Sequence, residues 1–341
     1  MLWQNQVFRG NWVKLQSHKM RSKMNMKIGV IGAGAWGKNL VKNFSEMGVL
    51  AGVADAVESN RKNATVIQPD VELFESHTDL LSRAYDAVAI ATPAHTHFAI
   101  AKEAMEAGCD VFIEKPMTLD PDESEALVKL GQEKGKVVMV GHLLLYQPAI
   151  AYLKEALERN DIGQVYTMHQ RRSKQGRARA VENVLWSFGV HDVAVLLYLS
   201  GQAPVKVEAV GHCGLQSTVE DDTYLHLTFP DGSLAHLHNS WLWPIVERGL
   251  IIVGEKGMLV YDEIAQNVRL VKKTIDCDLQ NVDEGEEVVF EGSGQPLRLE
   301  LDHFVDCCKR RTKPNSCGQN GLDVVRVLDQ AETILKGARV S

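Results

Sequence analysis

The sequence predicts an α/β protein in two parts. The first is a doubly wound parallel sheet, and the second is an α/β domain with a large open, mainly antiparallel sheet. Three observations predict this. A short β-branched run, Ile28 to Ile31, ends in Gly32-Ala33-Gly34-Ala35-Trp36-Gly37, and an amphipathic pattern follows from Lys38 to Met47. Continuous apolar runs then alternate with helical patterns as far as Gly141, the rhythm of buried parallel strands and crossover helices. Beyond Gln147-Pro148 the rhythm changes to short alternating runs divided by turn signals, which reads as an antiparallel sheet.

The Gly32 turn has the G-x-G-x-x-G spacing of a dinucleotide-binding, Rossmann-type strand-turn-helix. The first glycine permits the turn, the second lets a pyrophosphate approach, and the third lets helix and strand pack closely. The helix N-terminus offers free N–H groups and partial positive charge. Asp55 lies 21 positions after Gly34, at the end of a second apolar run, Leu50 to Ala54. An acid there holds both ribose hydroxyls of NAD and repels a 2′-phosphate, so NAD is the expected cofactor. A loop that needs glycine only for its own packing is the competing reading; strand, helix and acid together weigh against it.

Ala87 to Ala91 is the next strand and ends in Thr92-Pro93-Ala94-His95-Thr96-His97, before a helix from Phe98 to Ala107. Val111-Phe112-Ile113 ends in Glu114-Lys115-Pro116. Asp120-Pro121 then supplies a cap and a first-turn proline for a helix to about Glu133, which Gly135 closes. Val137 to Val140 leads into Gly141-His142. Ligands of such sheets bind at the carboxyl ends of the strands. The Gly32 turn, Asp55, Thr92-Pro93 and Glu114-Lys115-Pro116 all fall there.

In the second part a helix from Ala149 to about Arg159 precedes Gln164 to Arg172. There Tyr166, Met168, Gln170 and Arg172 share one strand face, and Thr167, His169 and Arg171 the other. A basic loop, Ser173 to Arg179, leads to an apolar helix, Trp186 to Leu199, closed by Gly201. Strands are expected at Val205–Gly211, Tyr224–Phe229, Leu234–Trp241, Leu250–Val253, Met258–Tyr261, Val268–Val271 and Val288–Phe290. Pro230 to Ser233 and Glu255 to Gly257 are turn signals, and Asp283 to Glu287 reads as a solvated turn. Helices at Leu297–Arg311 and Gly321–Leu335 end the chain. The implied division is 1–25 as an extension, 26–146 as the dinucleotide domain and 147–341 as the substrate and oligomerisation domain, its last helices packing back on the first.

The 341 residues exceed one typical core. A net charge of −7 argues against nucleic-acid and anionic-membrane partners. Apolar runs such as Val193 to Leu199 are far too short to span a membrane. The six cysteines show no metal spacing, so no metal is expected, and they fit a reducing cytoplasm. Residues 1–25 carry Arg9, Lys14, Lys19, Arg21 and Lys23 and no acid. They read as an extension without a core role, with an organellar transit peptide as the alternative.

The ordered set formed by the Gly32 fingerprint, Ala91-Thr92-Pro93-x-x-x-His97, Glu114-Lys115-Pro116 and Gly189-x-His191-Asp192 resembles the Gfo/Idh/MocA oxidoreductases, from about Met26 to the C-terminus. The resemblance implies that Lys115 is catalytic, that Pro116 follows a cis peptide, and that His191 is the second acid–base group. It implies a cofactor site of Gly32, Gly34, Ala35, Trp36, Gly37, Asp55, Thr92, Pro93, His95, His97, Glu114 and Lys115. One face of the second sheet would be an interface in a homodimer or homotetramer and the other would bound the active site. Elementary electrostatics agrees for Lys115, since desolvation and a cationic ring both lower an ammonium pKa. A solvated strand-end lysine and a structurally bonded helix N-terminal histidine are the bland alternatives. Ser187 stands where the family often has Asp. Asp192 is left to orient His191 or hold a substrate hydroxyl.

Gly141-His142-Leu143-Leu144-Leu145-Tyr146 and Glu182 to Asp192 resemble the nucleotide-sugar branch. That branch oxidises the C3 hydroxyl of a UDP-N-acetylated sugar, such as UDP-N-acetylglucosamine, to feed an aminotransferase. The implied substrate contacts are Lys115, Tyr146, Arg171, Arg172, Trp186, His191 and Asp192. Arginines suit a diphosphate, Arg177 and Arg179 among them, though a solvated basic loop serves equally for that pair and core packing for the two aromatics. The alternatives are a dehydrogenase of a free sugar or inositol, and a non-catalytic dinucleotide-binding regulator.

Overall fold

The computed structural model describes residues 26–176 and 178–339; the extension, Arg177 and the last two residues lie outside the described residues. β1 (Ile28–Ile31), β2 (Leu50–Ala54), β3 (Glu72–Phe74), β4 (Ala87–Ile90), β5 (Asp110–Glu114) and β6 (Val138–Gly141) form one sheet in the order β3-β2-β1-β4-β5-β6. Every pairing in it is parallel. The helices α1 (Gly37–Glu46), α2 (Glu58–Ile67), α3 (His77–Leu81), α4 (His97–Glu106) and α5 (Pro121–Glu133) connect the strands. β1, β4, β5 and β6 are buried along their whole length, as a sheet with helices on both faces requires. α1 turns Leu40, Val41 and Phe44 inward, the spacing of one helical face. Strand order reverses between β1 and β4, and that switch point opens a crevice at the strands' carboxyl ends.

After α6 (Pro148–Glu158) comes β7 (Val165–Ser173), then α7 (Val190–Ser200), entered through a widened π turn at Leu185–Gly189. β8 (Lys206–His212), β9 (Asp222–Thr228), β10 (Leu234–Ser240), β11 (Glu247–Gly254), β12 (Gly257–Asp262), β13 (Asn267–Ile275) and β14 (Asn281–Glu291) follow. With β7 they make a sheet in the order β14-β13-β12-β11-β7-β10-β9-β8. β7 and β10 are parallel and the remaining neighbours antiparallel. α7 covers one face with Val193, Ala194, Leu196 and Leu197, all buried.

α8 (Pro296–Arg310) and α9 (Gly318–Arg339) pack back on the first sheet. A Cβ on Gly321 of α9 would lie 2.6 Å from Val140 Cγ2, so that glycine sets the approach to β6. Arg326 of α9 pairs with Glu125 of α5 at 2.8 Å. Among the described residues, no helix is long and apolar enough to cross a membrane.

The acidic run Asp283 to Glu287 corrects the reading from sequence. It lies within β14 and is no turn. β13 supplies the opposite charges: Lys273 pairs with Asp283 (2.8 Å), Arg269 with Glu286 (3.2 Å) and Lys272 with Glu287 (2.6 Å). β14 ends the sheet order, so its polar side chains stay in water, and cross-strand ion pairs stabilise such an edge modestly.

Candidate active site

The site residues are carried by strand ends. A Cβ on Gly32 (φ 90°) would lie 2.8 Å from the Ala91 carbonyl, so β1 and β4 close on each other there. Gly37 meets the Gly32 carbonyl still more tightly. Gly34 differs: its nearest neighbour for a Cβ is Asn60 Nδ2 at 3.9 Å. The protein's own packing therefore requires the first and third glycines and leaves open space at the second, where a dinucleotide pyrophosphate fits. The N-terminus of α1 has no side-chain cap, and the partial positive charge of that helix end favours an anion at the turn. Ala35 and Trp36 are exposed at this turn.

Asp55 is pinned at the end of β2. Its carboxylate accepts from Ala33 N–H (2.7 Å), Val57 N–H (2.8 Å) and Asn60 Nδ2 (3.1 Å). It remains partly exposed, with lone-pair directions left for ribose hydroxyls. Thr92 shares a 2.7 Å hydroxyl contact with Thr96, Pro93 and His95 are exposed, and these complete the rim at β4. The Trp36 indole reaches across the crevice and donates to Glu114 Oε1 at 2.5 Å.

Lys115 follows β5 and joins Pro116 through a cis peptide. Burial lowers its pKa and Arg179 reinforces that, while Glu114 and Glu182 oppose it. Lys115 and His142 follow the paired residues Glu114 and Gly141 of neighbouring strands, and the Lys115 charge acts on both His142 and His191. Burial first and Lys115 second hold His142 down at about 3. His191 is held well below the ordinary imidazole value by burial, Lys115, Arg172 and His142. Both imidazoles are therefore neutral near pH 7, each with one N–H and one lone pair. An amine of depressed pKa beside a neutral imidazole can take a proton from a bound hydroxyl and return it.

Behind Lys115 sits a pair of buried carboxyls. Burial lifts Glu114 to about 7, against the Trp36 hydrogen bond and the Lys115 charge. Glu300 of α8 is 1% exposed with Oε1 unpartnered. Burial and the Glu114 charge raise its pKa well above the usual 4.5. Above its ordinary value of 4.5 the folded chain holds one proton more than the unfolded chain at this residue. Its contribution to stability therefore falls as pH rises, by up to about 1.4 kcal/mol per pH unit. Glu300→Gln removes that titration, so the variant is expected to gain urea resistance over wild type as pH rises through the range above about 5. A constant difference across that range would contradict the assignment.

Several residues expected in the site have other work. His97 is buried with Nδ1 2.9 Å from the Pro116 carbonyl and Nε2 2.9 Å from the Thr92 carbonyl. It ties the β4 and β5 turns together and turns no free nitrogen to a cofactor. Tyr146 shares a 2.9 Å hydroxyl contact with Ser316, so it braces the chain before α9. Trp186 is buried and donates to Glu332 of α9 at 2.9 Å.

The two β7 arginines divide because successive strand residues face opposite ways. Arg171 lies on the far face, paired with Glu247 at 2.6 Å beside the Trp243 ring. It lines a concavity of about 790 Å³ there with His169, Tyr224 and His236. Arg172 is buried and fully engaged. Nε donates to Asp192 (2.9 and 3.1 Å), and Nη1 and Nη2 to Glu263 (3.0 and 2.6 Å). Burial opposes its charge, but the Asp192 and Glu263 carboxylates outweigh that and raise its pKa. Asp192, fully buried, also accepts from Gln170 Nε2 and Asn239 Nδ2, both at 2.9 Å. Neither is free to hold a diphosphate or a sugar hydroxyl; together they anchor the start of α7 beneath His191. Arg179 pairs with Glu182 at 2.8 Å. His142, beside Lys115 at the end of β6, is a further candidate site residue, in sequence part of the Gly141 to Tyr146 resemblance.

Two family models match the chain. One, an oxidoreductase family with an NAD-binding Rossmann fold, matches residues 26–142. The other, the GFO/IDH/MocA C-terminal domain, matches residues 150–260. Over 217 residues the chain is 34% identical to a UDP-N-acetylglucosamine 3-dehydrogenase of Acidithiobacillus ferrooxidans, spanning 63% of this chain and 66% of that one, just under two thirds. It is 26% identical over 209 residues to an inositol 2-dehydrogenase of Corynebacterium glutamicum, 57% of this chain and 62% of that one. A solved structure of the Acidithiobacillus ferrooxidans 3-dehydrogenase superposes with a TM-score of 0.80 at 27% identity, covering 92% of this chain and 99% of that one.

Proposed function

The chain belongs to the Gfo/Idh/MocA oxidoreductase family, and from that premise we propose that it is an NAD-dependent dehydrogenase of a UDP-N-acetylated sugar, oxidising the C3 hydroxyl to a ketone. The observation that carries the oxidoreductase half is the Lys115, His142 and His191 cluster beside a dinucleotide cradle. NAD, held by the Gly32 turn, the N-terminus of α1 and Asp55, supplies the two-electron acceptor. Lys115 and His191 orient the hydroxyl, take its proton and exclude water from the reacting centre. The sugar assignment is supported by the 34% identity to the 3-dehydrogenase, reinforced by the superposition on its structure. The product, a 3-keto sugar, is a carbonyl suited to amino transfer, which makes an aminotransferase the natural consumer. A homodimer or homotetramer built on the far face of the eight-stranded sheet is supported by exposed Tyr224, Ile251 and Ile264 there. The six cysteines are unpaired, which supports a cytoplasmic setting.

The assay is product capture. Purified protein with NAD and UDP-N-acetylglucosamine, coupled to a sugar aminotransferase, is expected to yield a 3-amino sugar. Parallel reactions with myo-inositol or free N-acetylglucosamine are expected to yield no ketone. Turnover of inositol in preference to the nucleotide sugar would replace the substrate assignment with the free-polyol reading.

A further inference from the structure

Three ring nitrogens in the cluster have no protein partner: Nδ1 and Nε2 of His142 and Nδ1 of His191. His142 is 1% exposed. A buried polar group left unpaired is unfavourable, and an apolar side chain of the same shape would avoid the loss. The ring does not build the local turn. The backbone does, with His142 N–H donating to the Val140 carbonyl (2.7 Å) and the His142 carbonyl accepting from Leu145 N–H (3.0 Å).

Sheet register shows where the residue stands. Glu114 of β5 pairs with Gly141 of β6 in parallel. Lys115 and His142 are each the next residue, so they leave neighbouring strands at the same level. A Cβ on Gly141 would lie 3.0 Å from the Glu114 carboxyl, so that glycine lets β6 close on β5 just before the two residues.

We infer that His142 contacts the substrate, its unpaired ring N–H and lone pair taking a polar group of the sugar next to the hydroxyl that Lys115 and His191 serve. The inference rests on the dehydrogenase reading. A neutral imidazole matches a hydroxyl or an amide, each of which both donates and accepts. Lys115 helps keep His142 neutral; a protonated ring would lose its lone pair.

The test compares His142→Phe and His142→Asn with wild type. His142→Phe is expected to hold or raise Tm, because it deletes unpaired nitrogens at similar volume. Its KM for UDP-N-acetylglucosamine is expected to rise about tenfold or more, with NADH binding, read by tryptophan quenching, within about twofold of wild type. His142→Asn, which keeps a donor and an acceptor, is expected to recover part of that loss. The thermal shift induced by UDP-N-acetylglucosamine over NADH-loaded protein reads the contact without turnover; it should vanish in His142→Phe and return in part in His142→Asn. An unchanged KM and thermal shift in His142→Phe, or a loss confined to NADH binding, would overturn the inference. Absent turnover in a wild type that still shows the shift, lost in His142→Phe, would overturn the dehydrogenase reading and leave the contact standing. A wild type that shows neither would overturn both.

Discussion

Lys115→Met is expected to lower kcat about 10³- to 10⁴-fold, the upper range for loss of an acid–base group. NADH affinity and the unfolding midpoint should move little. Methionine fills nearly the same volume, and the pocket already disfavours the ammonium through burial. The variant thus removes the proton carrier and leaves the walls. Steady-state rates with a fluorescence titration of NADH separate the two effects. The remaining His191 has its pKa well below the ordinary range, so it is a weak base at neutral pH and compensates poorly.

Asp192→Ala is expected to destabilise the fold by about 3–5 kcal/mol, the usual cost of breaking a buried ion pair from one side. The cost arises because Arg172 keeps its charge while losing one of its two carboxylate partners. Gln170 and Asn239 each lose an acceptor as well. Against a typical stability of about 5–15 kcal/mol this is a large fraction, and urea unfolding measures it. The triple change Arg172→Met, Asp192→Leu and Glu263→Met should recover part of the loss, since Glu263 is the other buried carboxylate on Arg172 and apolar replacement of a whole buried ionic group is often neutral. If Asp192→Ala unfolds at the wild-type midpoint, the network does not anchor α7.

The comparison of sequence with structure turns on what each pattern encodes. Glycine spacing and continuous apolar runs report backbone demands, and these placed β1, β4, β5 and the Gly32 turn at their observed positions. Strand alternation also carried the division between Arg171 and Arg172, because a period of two sends neighbours to opposite faces. Grouping both as diphosphate ligands ignored that period. Arg172 and Asp192 were illegible as partners, since the groups that engage them, Glu263 and Asn239, come from distant strands. Tyr146 and Trp186 likewise meet Ser316 and Glu332, far along the chain. His142 left one usable signal, a histidine directly after a buried parallel strand, where an apolar residue would have sufficed for packing. The Asp283 to Glu287 run gives no strand signal of its own, because the cations that face it lie on β13.

Hydride transfer that depends on Lys115 is read directly in a single-turnover experiment. Protein preloaded with NAD is mixed rapidly with excess UDP-N-acetylglucosamine while NADH absorbance is followed, for wild type and Lys115→Met side by side. A burst of NADH is expected from wild type and none from the variant on the same timescale. NADH formed at equal rates by both, or by neither with UDP-N-acetylglucosamine and inositol alike, would contradict it.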